Sequence, residues 1–247
     1  MTDRVLITGA NCDIASAVID KLLQQSAKLI LQTRDVKHFD SMLKLNSGSI
    51  KVIESDIGSK ENVETIFNDA LSAFGGIDAI VHCAAFSSSL GKVTDVNWWQ
   101  LWEKSMHVNV VAPTSLTMMA SEYFKEHNIK GKVVMITSRA VHQGDSPEKM
   151  HYAATKAALA NVTKTIAKNF KEFNIHAYNV APSFVMTKRI KETVLTDKSP
   201  EWIKENFPLE ELVPPEQVAE VIEMLLTKNL SHLTGSTIDI NGGTYLR

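Results

Sequence analysis

Short apolar runs of strand type alternate with stretches of helical periodicity along almost the whole of this 247-residue chain. The strand candidates are Arg4–Thr8, Leu29–Gln32, Ile50–Glu54, Ala79–His82, Lys132–Thr137, His176–Val180 and Thr237–Ile240. Several are continuously apolar, as strands covered on both faces must be. Between them Asp13–Gln25, Lys60–Phe74, Trp98–Lys125, Met150–Phe173 and Pro215–Thr227 read as helices. Regular β-α alternation predicts right-handed βαβ units, and hence an α/β fold: a doubly wound parallel sheet of about seven strands between two helical layers. No Pro/Gly/Ser-rich linker, charge run, repeat or low-complexity tract interrupts the pattern, so residues 1–247 are expected to form a single domain.

Several function classes are disfavoured at this stage. A formal charge of −2 with interspersed signs gives no footprint for nucleic acid. No apolar run approaches the ~18 residues of a membrane span, and Val5-Leu6-Ile7-Thr8-Gly9 already reads as a core strand, so no leader is expected. The two cysteines, Cys12 and Cys83, fall in separate segments without C-x-x-C spacing and read as reduced thiols of a cytoplasmic protein. No ligand set has zinc spacing, so no metal is expected, and there is no G-x-x-x-x-G-K-[ST] loop.

In open sheets of this kind ligands bind beyond the carboxyl ends of the strands. Gly9, Arg34, Asp56, Ala84, Ser138 and Ser183 all sit at or just past a strand end. Gly9 permits a tight turn into the first helix, whose opening amides suit phosphate oxygens. Asp13 reads as the N-cap of that helix, and Ala15 keeps a small side chain where helix and sheet approach. After the second strand, Thr33 and Arg34 offer a neutral group and a guanidinium where an acid would have gripped a ribose; this suits the 2′-phosphate of NADP, although an ordinary exposed arginine reads the same way. Asp56, followed by Ile57, is placed either to hold an adenine amino group or to make a turn.

Tyr152 and Lys156 lie four residues apart in Met150–Leu159, which puts phenol and ammonium on one helix face. A phenol titrates near ~10, and a fixed cation beside it is expected to lower that value and make it usable in proton exchange.

Together these segments resemble the short-chain dehydrogenase/reductase family, from Arg4 to the C-terminus. Thr8-Gly9-Ala10-Asn11-Cys12-Asp13-Ile14-Ala15 resembles its T-G-x-x-x-G-x-G turn, with Asp13 and Ala15 in place of two glycines. His82-Cys83-Ala84-Ala85 stands at its N-N-A-G segment and keeps only Ala84. Asn109, Ser138, Tyr152 and Lys156 match its catalytic set, and Pro182-Ser183-Phe184-Val185-Met186-Thr187 its P-G-x-[IV]-x-T loop. The resemblance implies a Rossmann-type fold and hydride transfer between a nicotinamide coenzyme and a carbonyl or alcohol carbon. Tyr152 would protonate the developing alkoxide, Ser138 position the same oxygen, Lys156 grip the ribose hydroxyls, and Asn109 hold a water connecting Lys156 to solvent. Gly9, Asn11, Asp13, Ile14, Arg34, Asp56, Ile57, Ala84, Asn109, Tyr152, Lys156, Pro182, Val185 and Thr187 would contact the coenzyme, expected to be NADP, with NAD as the alternative.

The expected activity is NADP(H)-dependent reduction of a ketone or aldehyde, of 3-oxoacyl or sugar type. The alternatives are an NAD-dependent alcohol dehydrogenase of the same fold and a nucleotide-sensing protein without turnover. The family also implies a homodimer or homotetramer built through Trp98–Lys125 and Met150–Phe173. A variable lid is expected near 188–208, where Val194, Leu195, Trp202, Ile203 and Phe207 form either a pocket wall or a packing face. Phe86, Ser87, Ser88, Arg139 and His142 would face the crevice, with Arg139 either an attractor for anions or a surface ion-pair partner. His142 and His151 read as pocket wall or surface.

Overall fold

The strands of the computed structural model, which describes residues 3–196 and 198–246, are β1 (Arg4–Thr8), β2 (Lys28–Thr33), β3 (Ile50–Glu54), β4 (Ala79–His82), β5 (Gly131–Ile136), β6 (Ile175–Pro182) and β7 (Thr237–Ile240). All pair in parallel, in the order β3-β2-β1-β4-β5-β6-β7. The strand order reverses between β1 and β4, where Leu6 stands opposite Ile80, so the crevice of a doubly wound sheet opens above that pair. The helices are α1 (Asp13–Gln24), α2 (Asp40–Asn46), α3 (Lys60–Phe74), α4 (Trp98–Met106), α5 (Ala112–Glu126), α6 (Ala140–Gln143), α7 (Met150–Asn169), α8 (Lys188–Thr193), α9 (Pro200–Asn206) and α10 (Pro215–Thr227).

Alternation along each strand divides the core in two. Val5, Ile7, Leu29, Leu31, Val134 and Val180 face α1 and α10, where Val18, Leu22, Ile222 and Leu225 meet them. Leu6, Ile30, Ile80, Val133 and Ala177 face α3, α5 and α7 through Ile66, Leu116, Phe124 and Leu159. Each such side chain contributes roughly 1.5–3 kcal/mol by leaving water, which fixes the register and with it the rim on which the site stands. Helix ends follow local chemistry: Ser59 Oγ accepts from Asn62 N at 3.2 Å to start α3, and Gly75 ends it at φ 68°.

The long helix expected over 98–125 is divided. Pro113 has no N–H to give the Asn109 carbonyl, and the chain opens into a π-turn over His107–Val111, where Ala112 N donates to His107 O. The segment 188–208 holds α8 and α9, with Asp197 outside the described residues. Val194, Leu195, Trp202 and Ile203 pack there with buried Ile190, Phe207 and Leu212, so they form a packing face. Among the described residues no helix is long and apolar enough to cross a membrane. Trp99, Met106, Val111 and Met150 stay exposed on the α4–α5 and α7 segments, where the family resemblance places subunit contacts.

Candidate active site

Thr8, buried at the end of β1, leads into Gly9 at φ 63°. A Cβ on Gly9 would lie 2.5 Å from Ala84 Cα, so the first turn and the end of β4 touch backbone to backbone. Gln32, which sequence reasoning passed over as a strand end, braces this floor while almost fully buried: its Oε1 accepts from Gly9 N (2.9 Å) and its Nε2 donates to Ser55 O (2.6 Å). Only the burial of an amide in an apolar strand could have signalled it.

The cap of α1 differs from expectation. Cys12 holds it, its Sγ accepting from Ala15 N at 3.4 Å, while Asp13 is the first helical residue. Asp13 Oδ2 instead accepts from Lys188 N at 3.2 Å, joining the phosphate-type turn to the start of α8. Asn11 is exposed and Ile14 half-buried beside it. With Gly9 lacking a side chain and α1 starting at the carboxyl rim, the residues present fit a dinucleotide pyrophosphate, although Cys12 takes the Ala15 amide.

On the adenosine side Arg34 is exposed and makes no hydrogen bond or ion pair with any described residue. Thr33 is buried and its hydroxyl donates to Asp35 O and accepts from Asp35 N, so it has no hydrogen left to give a phosphate. Asp35 itself caps a short turn through Lys37 N. Asp56 Oδ1 accepts from Gly58 N at 2.9 Å, the turn-forming role, and the Ile57 side chain is buried in the α3 face of the core. Contact between Ile57 and a coenzyme is therefore limited to its backbone.

Across the crevice, Ser138 lies just past β5, its Oγ accepting from Ala140 N at 3.2 Å. The Tyr152 phenol on α7 lies near enough to the Ser138 side chain for that hydroxyl to favour its ionised form. One turn further, Lys156 Nζ stands 5.7 Å from the Tyr152 ring centre and donates to Ile136 O at 2.6 Å. Contrary to expectation the phenol pKa is raised: burial pushes it up, and the Arg189 charge and the Ser138 hydroxyl only partly offset that. Lys156 is no counterweight, because its ammonium is turned to a strand carbonyl and is itself disfavoured by burial. Asn109 is fully buried in the π-turn. Its Oδ1 accepts from Phe86 N (2.7 Å), and its Nδ2 donates to Phe86 O (2.9 Å), Thr155 Oγ1 (2.9 Å) and Ser105 Oγ (3.2 Å). The side chain is fully engaged and braces the loop after β4, which leaves a water for Lys156 to the main-chain carbonyl of Asn109, the one Pro113 cannot meet.

The site's third wall comes from the end of β6. Pro182 is buried, its carbonyl accepting from Arg139 N at 3.1 Å; buried Val185 accepts at its carbonyl from Thr187 N. Thr187 caps α8, its Oγ1 accepting from Ile190 N, which leaves its hydroxyl hydrogen to donate.

Residues 9–245 match the family model described as enoyl-(acyl carrier protein) reductase. The chain belongs to the short-chain dehydrogenase/reductase family. It is 28% identical over 242 residues to human dehydrogenase/reductase SDR family member 4, covering 97% of this chain and 86% of that protein. To the 3-oxoacyl-[acyl-carrier-protein] reductase FabG of Thermotoga maritima it is 29% identical over 248 residues, 96% of each. Among solved structures, 4-hydroxyisoleucine dehydrogenase complexed with NADH superposes with a TM-score of 0.89 at 25% identity over 98% of both chains. ElxO with NADP bound superposes at 0.86 and 25%, over 99% of both. As a short-chain dehydrogenase/reductase the protein is an oxidoreductase of the nicotinamide-coenzyme class.

Within this short-chain dehydrogenase/reductase, His82 and Cys83 occupy the degenerate part of the family pattern. Thr117 Oγ1 donates to Pro113 O, so the His82 Nε2–H donates to Thr117 Oγ1 at 3.1 Å and ties β4 to α5. Burial, helped by the Lys156 charge, lowers the His82 pKa to about 3, and the ring is neutral. Cys83 and Cys12, distant in sequence, come near each other because β1 and β4 are neighbours; the Cys12 side chain and burial push the Cys83 thiol well up. His151 is enclosed by Phe86 and Trp102, with ring centres 6.3 and 6.1 Å away, and His142 stacks on Tyr245 at 5.8 Å. Arg139 donates from Nη1 to Gln143 Oε1 and lies over the face of Phe184, and it forms no ion pair with a described residue.

Lys156 carries a pH signature. Burial lowers its pKa from 10.5 to about 8, so between those values the unfolded chain keeps a proton that the folded one has shed. The unfolded state then binds more protons, and stability from this group rises with pH from about 8 to 10.5, by about 3 kcal/mol in all. Denaturant unfolding of the coenzyme-free protein should show this rise relative to Lys156→Met. A flat or falling difference would contradict it.

Proposed function

We propose that this protein reduces a ketone or aldehyde with NADPH. The observation that carries the proposal is the meeting of the Tyr152 phenol and the Ser138 hydroxyl at the carboxyl rim, with Lys156 one turn behind. When bound, the coenzyme supplies a hydride to the carbonyl carbon. Tyr152 gives its proton to the carbonyl oxygen as charge develops there, and Ser138 orients that oxygen. The raised phenol pKa keeps Tyr152 protonated at neutral pH, which suits the reducing direction. Lys156, with protons left after the bond to Ile136 O, is placed to hold ribose hydroxyls. Asn109 keeps the loop after β4 in register with α7 through Phe86 and Thr155. The α8–α9 segment forms a lid over the substrate side of one domain.

The preference for NADPH over NADH is proposed from Arg34, exposed just past β2 and bonded to no described residue, while one oxygen of the adjacent acid, Asp35, is engaged as a cap. A guanidinium–phosphate contact is worth about 1.5–3 kcal/mol, or roughly tenfold to a hundredfold in affinity. Arg34→Ala should weaken NADPH binding by that factor and leave NADH within about twofold. Equal affinities for the two coenzymes in both proteins would remove the case for NADPH. Oxidation of NADPH against a panel of ketones and aldehydes, followed in single turnover, tests the reduction itself; its absence across the panel would overturn the proposal.

A further inference from the structure

Two cations converge on Ser87, in the loop after β4. Arg189, the second residue of α8, donates from Nη1 to the Ser87 hydroxyl. Lys149, just ahead of α7, donates from Nζ to the Ser87 carbonyl. Neither forms an ion pair with a described residue. Lys149 is half-buried, and after burial the charge of Arg189 is what most lowers its pKa; the acids whose charge reaches it, Asp145 and Glu148, are exposed. The field of Arg189 also reaches Tyr152 and Lys156. Arg189 is exposed, so the crowding of like charge is felt at half-buried Lys149, and an anion between the two relieves it. A carboxylate matches the planar fork of a guanidinium and accepts from an ammonium at the same time.

We propose that the open side of the site takes a carbonyl compound that also bears a carboxylate, held by Arg189 and Lys149 over Ser87 while its carbonyl oxygen meets Tyr152 and Ser138. This rests on Tyr152 as the proton donor. The two cations act on the substrate's far end and fix which face of the carbonyl is offered for hydride transfer. Arg139, the basic residue nearest in sequence to Ser138, is directed to Gln143 and Phe184 instead of Ser87.

Binding and turnover test this separately. In the NADPH-loaded protein, calorimetry should show pentanoate binding at least about tenfold tighter than the isosteric pentanamide, as a charge-assisted hydrogen bond provides. The gap should close in Arg189→Met/Lys149→Met, persist in part in Arg189→Lys, and shrink as salt is raised. In turnover, 4-oxopentanoate should be preferred over its methyl ester by a similar factor in kcat/KM, mostly through KM, and that ratio should fall toward one in the double variant. Equal binding of acid and amide, or no measurable binding of either, overturns the inference even if ketones are reduced. Tighter pentanoate binding without hydride transfer to any carbonyl would keep the anion site and sink the reductase proposal instead. A double variant that loses NADPH affinity while the wild type does not distinguish acid from amide would assign the cations to the coenzyme and overturn the inference.

Discussion

Tyr152→Phe is expected to lower kcat for carbonyl reduction by about 10²–10⁴-fold, the usual worth of a positioned general acid. The substitution removes one oxygen, the one that neighbours the Ser138 side chain, and leaves the ring that Lys156 approaches at 5.7 Å. Coenzyme affinity should therefore stay within about twofold and the unfolding midpoint should barely move. The pH profile should change as well. In the wild type the phenol, raised by burial, is protonated through neutral pH, so reduction is favoured there and the reverse oxidation gains as pH climbs toward the phenol pKa. In the variant that alkaline gain should vanish. Steady-state kinetics in both directions, with coenzyme binding measured separately, would settle it. A variant retaining full activity would show that the proton comes from elsewhere.

The second large effect is expected at Gly9. Alanine there must adopt φ near 63°, costing about 1–2 kcal/mol for a residue with a Cβ. Its Cβ would also stand 2.5 Å from Ala84 Cα and 2.6 Å from Ala84 N, backbone atoms that cannot swing aside. Overpacking of this kind costs about 1–3 kcal/mol more. In a chain of this size the sum corresponds to a loss of roughly 5–15 °C in Tm. The turn must lift off β4 to relieve the clash, taking the α1 amides with it, so coenzyme affinity should fall at least about tenfold. Gly48→Ala is the matched control: a Cβ there meets nothing within 4 Å, and stability should change by less than about 0.5 kcal/mol. Comparable losses in the two variants would mean that Gly9 is not the contact point between turn and sheet.

Most of the architecture was legible in the chain. Leu6, Ile30 and Ile80 announce strands buried on both faces because parallel sheets bury both, and β1, β3, β4 and β7 begin and end where expected. The break in the long helix was harder to see: Pro113 marks it, but whether a proline kinks, ends or widens a helix depends on what packs against it. The site was legible as far as local spacing reaches. Tyr152 and Lys156 share a helix face by periodicity alone, whereas their electrostatics do not follow from spacing. Lys156 bends to the Ile136 carbonyl, and burial, not a neighbouring cation, governs the phenol. Asp13 looked like a cap by residue type, yet the cap fell one residue earlier because the Cys12 sulfur reaches Ala15 N. Gln32 on Gly9, Cys12 on Cys83, and Arg189 with Lys149 on Ser87 are all meetings of distant segments, for which a single sequence carries no local signal.

The segment that carries Arg189 is built around a small core of its own, Ile190, Phe207 and Leu212, set apart from the two faces of the sheet. Tyr152 and Lys156, by contrast, stand on α7, packed against the sheet, with Lys149 just ahead of them. One cation of the proposed carboxylate site thus travels with the 188–212 stretch and the other with the helix that handles the proton. Exchange of that stretch would leave Tyr152, Lys156 and Lys149 in place but would remove Arg189 and the Lys188 amide that Asp13 accepts from.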